Sequence, residues 1–226
     1  IQTMNEARGE LQVISGQYDL QWMSTNQQRE NDMIPVKVPI YQGILGLRLL
    51  LVNRERKETF DQIKSLTELQ QYTGGHGLHW GDLPVYAANN LKVSAHKSYD
   101  SIFTLLKLNR IDYFHRGVNE IWTELSEHDT KLSIADNVML FYPHPIYFFV
   151  SKHKPELAKL LEKGLNIAMS DGSFEQLFLS EMGDFIDLGE LSTRKLIILS
   201  NPVVPAGAPK IHTDWWLPEH LTIESH

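Results

Sequence analysis

LKVSAHKSYDSIFTLLKLNRIDYFHRGVNEIW, residues Leu91 to Trp122, changes its hydrophobic rhythm three times. Leu91 to Ala95 is a short strand-like run. Ser98 then stands as an N-cap ahead of a helix that reaches Arg110. Ile111 to Gly117 returns to an apolar strand, and Val118 opens a further helix to His128. Strands joined by helices of this length do not pair as hairpins, so the pattern predicts a mainly parallel sheet flanked by helices. Ligands bind such sheets at the strand ends, so the residues that follow each strand are the first candidates for a site.

Immediately upstream lies YTGGHGLHWGDLPVYAANN, Tyr72 to Asn90, a strand running into a glycine loop and then a helix expected to open at Trp80. A helix N-terminus gathers unpaired N–H groups and a partial positive charge, and glycines ahead of it let a ligand approach the backbone. Gly77, Leu78, His79 and Trp80 are therefore candidate ligand-binding residues. An ordinary strand-to-helix turn, with glycines supplying positive φ, fits the same residues, and the stretch by itself leaves both open. His76 and His79 are three apart, a spacing that on a helix lets two imidazoles share an ion. His115, His128, His144 and His153 are scattered and no third ligand completes the set, so no metal is expected.

Further out, Gly43 to Asn53 reads as a long apolar strand containing LRLLLV, and Phe60, Ile63 and Leu66 mark helical turns. Tyr18 to Ser24 is a strand, and residues 4–15 form a short helix with Met4, Ala7, Leu11 and Ile14 on one face, ended by Gly16. Downstream, Val138 to Lys152 is an apolar strand broken by Pro143 and Pro145. Pro155 to Met169 follows as an amphipathic helix, then a tail in which Trp215 and Trp216 are expected to pack. Two long extended passages around a compact strand-helix-strand unit predict one lobe inserted into another.

Composition narrows the functional classes. The chain has 226 residues, 42% hydrophobic and 22% charged, enough for a sizeable core and unlike a disordered protein. A net charge of −7 removes the electrostatic footprint of a nucleic-acid binder. The absence of cysteine excludes disulfides, thiolate metal sites and cysteine nucleophiles. No apolar run approaches the roughly 20 residues of a membrane-spanning helix. No G-x-S-x-G elbow, P-loop, dinucleotide fingerprint or zinc-protease helix is present.

MNEARGELQVISGQYDLQWMSTNQQRE, IPVKVPIYQGILGLRLLLV, the Leu91 to Trp122 stretch and YFFVSKHKPELAKLLEKGLNIAMSDGSFEQLF follow one another in a telling order. In that order they resemble bacterial extracellular solute-binding proteins of the type II periplasmic fold, polar-amino-acid-binding branch. The resemblance covers about residues 4–200 and lies in the succession of elements rather than in any single motif. It implies an α/β protein of two lobes, each a mainly parallel sheet flanked by helices, joined by two hinge strands. Lobe one would be residues 1–46 and 147–226, and lobe two 47–146. Members of the family carry a further strand, helix and strand ahead of the position of Met4, which this sequence does not include, so the chain is expected either to be a remnant of a longer mature protein or to have lost part of one wall of the first lobe. The resemblance also implies binding rather than catalysis and no cofactor. It implies a small polar or anionic solute held in an interlobe cleft for an ABC-transporter permease, and a secreted, periplasmic location with the signal peptide outside this chain.

The same resemblance assigns residues. Thr25 and Arg29 stand where the family holds a carboxylate with a hydroxyl and a guanidinium, although their spacing is one residue longer than usual; Trp22 and Ser24 lie close enough to join them. Gly77, Leu78, His79 and Trp80 correspond to the loop that holds the solute's anionic end. At the end of the Ile111 to Gly117 strand, where amino-acid binders place an acid, this chain has His115 and Arg116. The reversed charge implies a solute with an extra anionic or acceptor group, unless Glu120 takes the ammonium. Tyr41, Tyr99, Trp80 and Phe114 are candidates for aromatic walls, although residues of this kind taken singly are more often core. Two other readings stand beside this one: a sensory or interaction module of the same fold that signals or has lost its solute, and a hydrolase using the His76/His79 loop.

Overall fold

The computed structural model describes residues 6–128, 131–209, 211–221 and 223, so Met4 lies outside the described residues. In chain order the elements are α1 (Glu6–Ile14), β1 (Leu20–Ser24), α2 (Gln27–Asp32), β2 (Ile34–Val36), β3 (Leu47–Asn53), α3 (Lys57–Asp61), α4 (Leu66–Leu69), β4 (Thr73–Gly77) and α5 (Leu83–Ala88). There follow β5 (Lys92–His96), α6 (Tyr99–Lys107), β6 (Tyr113–Gly117), α7 (Ile121–His128), β7 (Leu132–Phe141), β8 (Ile146–Val150), α8 (Pro155–Ser170), α9 (Ser173–Gly189) and β9 (Lys195–Ile198). The described residues fall into two compact units, one drawn from 1–43, 144–181 and 203–215, the other from 44–143, 182–202 and 216–226.

In the first unit β8 runs antiparallel between β1 and β2, and Leu20 and Ile34 both face Val150 across it. Its sequence, IYFFV, is apolar at every position because both faces are covered. Tyr147 and Phe149 pack with Val13, Met23 and Met33, while Val150 and Phe148 lie with Val36, Ala158, Leu157 and Leu161 of the α8 side. The period-two alternation of β8 thus gives the unit two apolar layers. β1, α2 and β2 form a strand-helix-strand, and β8 inserts between the two strands, so the described pairing here is antiparallel rather than parallel.

The second unit carries a six-stranded sheet in the order β5-β4-β6-β3-β7-β9. Its β5/β4, β4/β6 and β7/β9 ladders are parallel, whereas β3 runs antiparallel to both β6 and β7. The β4-α5-β5-α6-β6 succession is the parallel half that the stretches from Tyr72 to Trp122 predict. Leu49, Leu50, Leu51 and Val52 of β3 are all fully buried, as a central strand covered on both faces requires. β3 starts at Leu47 rather than Gly43, because Ile44–Gly46 forms a 3-10 turn. β7 starts at Leu132, six residues before the expected Val138, and ends ahead of Pro143, which has no N–H to give a ladder. Residues 195–198, read from the sequence as part of lobe one, pair with β7 and belong to the second unit's sheet.

Candidate functional site

β4 is TGGHG, and its glycines serve close packing rather than positive φ. A Cβ on Gly75 would lie 2.5 Å from Ile102, and one on Gly77 would lie 2.4 Å from the Trp80 ring. Neither glycine is among the positive-φ residues. The chain turns at the end of β4, where the Trp80 N–H reaches the Gly77 carbonyl at 3.1 Å and brings the indole back over Gly77. The helix expected from Trp80 begins only at Leu83, with Pro84 in its first turn, and is six residues long. So short a helix offers little macrodipole. The Leu78 N–H is spent on the His96 carbonyl at 2.9 Å, whereas among the described residues the N–H groups of His79 and Gly81 reach no backbone carbonyl. The Leu78 and His79 side chains are exposed.

Beneath this loop lies a cluster of rings and charges. Trp80 stacks on Phe114 with centroids 5.9 Å apart. The Arg116 guanidinium lies 4.8 Å from the Trp80 ring, 5.0 Å from Phe114 and 5.5 Å from Tyr99. Arg116 also grips Glu124 through Nε (2.8 Å) and Nη2 (2.6 Å), and its Nη2 lies 3.1 Å from Glu120 Oε2. The Tyr99 hydroxyl donates to the same Glu124. Burial works against the Arg116 charge, and the Glu124 hydrogen bonds with the Glu120 and Glu124 charges outweigh it, so its pKa lies above the ordinary arginine value. The reversed charge read from the sequence is present, but it is balanced inside the unit.

Arg48, from β3, is a second guanidinium largely withdrawn from solvent, its side chain 12% exposed. It donates to the Tyr142 hydroxyl at 2.8 Å and to Asp82 at 3.3 Å, and its Nη1 lies 3.7 Å from Glu120. Burial opposes ionisation of Asp82, yet the His76 contact, the Arg48 charge and the Tyr142 hydroxyl hold its carboxyl well below the usual range. His76 is fully buried, with Nδ1 2.7 Å from the Gly77 carbonyl and Nε2 3.2 Å from Asp82 Oδ1. It lies in β4 and His79 in the exposed loop, so the helical spacing considered for a shared metal does not arise, and no metal-binding cluster occurs among the described residues. His115, also buried, stacks on Tyr86 at 4.0 Å, and among the described residues neither of its ring nitrogens has a hydrogen-bond partner. Burial, and then the neighbouring His76, push its pKa well below the ordinary histidine value.

The remaining candidates lie in the first unit. Asn26 caps α2 by accepting from the Arg29 N–H at 2.8 Å, which fixes the start of the helix beside the end of β1. The Arg29 side chain then turns onto its own unit: Nη1 donates to the Ser24 carbonyl (2.7 Å) and hydroxyl (3.0 Å), and Nη2 to Glu10 (2.9 Å). Thr25 is buried and donates to Glu30 at 2.8 Å. Trp22 is 52% exposed and meets Tyr41 edge-on at 5.9 Å. Arg29 thus meets Ser24 and is bound to Glu10, a carboxylate of the chain, while the Thr25 hydroxyl is directed to Glu30 instead.

Sequence reasoning brought out Trp80, Tyr99, Arg116 and Glu120 and missed Arg48, Asp82, Glu124 and Tyr142. Arg48 carried a usable signal, since it is the one charge in the apolar run LRLLLV. Glu124 carried none, because no local spacing ties it to Arg116.

No protein-family model matches the sequence, and no curated protein matches it. Solved structures do. The probable amino-acid ABC transporter extracellular-binding protein of Bacillus subtilis superposes with a TM-score of 0.60 at 19% identity, over 80% of this chain and 79% of that one. An amino acid ABC transporter substrate-binding protein of Streptococcus pneumoniae bound to L-arginine gives 0.58 at 14%, over 81% and 75%. A putative ABC-transporter binding component of Wolinella succinogenes complexed with lysine gives 0.58 at 15%, over 79% and 76%. The chain therefore has the type II periplasmic binding fold that the resemblance implied, and identities this low speak of fold alone.

Proposed function

We propose that this chain binds a small, amino-acid-like solute bearing a carboxylate, outside the cytoplasm, and presents it to the permease of an ABC transporter. The observation that carries this reading is the pair of largely buried guanidiniums, Arg48 and Arg116, gathered beside an exposed loop whose His79 and Gly81 amides reach no backbone carbonyl among the described residues. Backbone donors and guanidinium forks are the groups that recognise carboxylates, and the surrounding Trp80, Phe114 and Tyr99 supply apolar lining. Arginine, lysine and similar solutes named for structures of the same fold belong to this chemical class. Within the first unit, Trp22, Ser24, Thr25, Arg29 and Tyr41 are proposed as solute-contacting residues.

A second reading, a sensory or interaction module of the same fold that has lost its solute, is favoured by one observation. Arg29 and Arg116 are each already paired with a carboxylate of their own unit, Glu10 and Glu124. The hydrolase reading lacks such support, because His76 is buried against Asp82. Thermal-shift screening against the standard amino acids and small dicarboxylates separates the two readings that remain. Solute binding predicts a concentration-dependent rise in Tm, abolished by Trp80→Ala. No rise with any compound, and nothing bound in the native mass spectrum of the purified protein, favours the second reading.

A further inference from the structure

We propose that the Glu120 carboxylate is a built-in stand-in for a carboxylate of the solute, and that an acidic solute binds by displacing it from Arg116, Arg48 and the Gly117 amide. This inference rests on the solute-binding reading and names the group by which the solute is recognised.

One hydrogen bond and two ion pairs converge on one oxygen. Glu120 Oε2 accepts from the Gly117 N–H at 3.1 Å and lies 3.1 Å from Arg116 Nη2 and 3.7 Å from Arg48 Nη1. The cradle depends on glycine: a Cβ at position 117 would lie 2.9 Å from that same oxygen and 3.3 Å from Arg48 Nη1. Two guanidiniums and an amide around a carboxylate form a site for such a group, whichever molecule supplies it.

Charge balance marks Glu120 as the replaceable member. Arg48 keeps Asp82 and Arg116 keeps Glu124, and both of those carboxylates are nearly buried, with side chains 10% exposed. Glu120 is the third carboxylate on two cations, and its side chain is 39% exposed. It can swing into water without leaving a buried guanidinium unpaired, which neither of the others can do. A solute carboxylate in its place restores the same charges and donors. Because one carboxylate replaces another, the exchange contributes little net affinity. That affinity falls to the rest of the solute, for which the His79 and Gly81 amides lie in the neighbouring loop. The Glu120 contact also closes a turn, with the Glu120 N–H on the Gly117 carbonyl at 2.9 Å ahead of α7, in the manner of a capping box. A capping role alone predicts a stability loss and no change in affinity.

Isothermal titration of the full chain and of Glu120→Gln with succinate, L-glutamate and L-arginine distinguishes these roles. Glutamine still offers a carbonyl to the Gly117 N–H but competes with an anion far less. The variant is expected to bind succinate and L-glutamate about tenfold tighter than the parent, with no gain for its Tm. Glu120→Ala is expected to show the same gain, which excludes the new amide as its source. Equal or weaker binding of both acids by the two variants overturns the proposal. If the parent binds L-arginine while neither variant gains affinity for the acids, this inference alone fails. If parent and variants bind none of the three, the solute-binding reading fails with it.

Discussion

Glu124→Ala removes the buried carboxylate that Arg116 grips at 2.6 and 2.8 Å and that also accepts from the Tyr99 hydroxyl. Breaking a buried ion pair from one side costs about 3 to 5 kcal/mol, because a desolvated charge is left without its partner. Here part of that cost is recovered: Glu120 remains 3.1 Å from Arg116, on the exposed side of the cluster, where such a contact returns about 1 kcal/mol. The expected net loss is therefore about 2 to 4 kcal/mol. Glu120→Gln alone should cost less than about 1 kcal/mol, since both cations keep their buried partners. The double variant should lose more than the sum of the two by about 1 kcal/mol, because the second carboxylate compensates only when the first is gone. Urea unfolding followed by tryptophan emission and by circular dichroism reads these losses as midpoint shifts at unchanged slope. A loss under about 0.5 kcal/mol for Glu124→Ala would refute the view that Arg116 is a buried cation held by this carboxylate.

Three further outcomes follow from the same cluster. His115 titrates below its unfolded value, so the unfolded chain binds a proton first as the pH falls, and stability is lost below about 6.5. His115→Phe removes two unpartnered ring nitrogens from the core and should flatten the pH dependence of Tm between about 5 and 7 without lowering it at neutral pH. Asp82, depressed by His76, Arg48 and Tyr142 against its burial, contributes stability above about pH 4 that is lost as the pH falls further; Asp82→Asn should remove that acid limb and lower stability at pH 7. Gly77→Ala drives a Cβ to within 2.4 Å of the Trp80 ring and should cost about 1 to 3 kcal/mol while shifting the tryptophan emission, which fluorescence and melting together check.

Local patterns made the second unit's parallel half legible. Leu91 to Gly117 switches between periods of two and 3.6, and the observed β5, α6 and β6 follow it closely. The glycine stretch was harder. Glycine disfavours strands on its own, yet Gly74, Gly75 and Gly77 form β4 because Tyr113, Ile102 and Trp80 occupy the space that side chains would fill, and those neighbours are distant in sequence or beyond a turn. The same turn delayed the helix to Leu83. The antiparallel entry of β8 between β1 and β2, and the pairing of β9 with β7, are set by contacts more than fifty residues apart and leave no local trace. At the site, residue types were legible where they broke a pattern, as Arg116 did. Their partners were not, and the partners determine whether a charge is free or spent.

An amide-resolved NMR titration with succinate tests the central claim most directly. The account predicts saturable shifts at His79, Gly81 and Gly117, accompanied by the Arg116 and Arg48 Nε–H signals, with residues of α8 unmoved. Saturable binding with its shifts confined to other parts of the chain, and the Gly117 amide unchanged throughout, would contradict it.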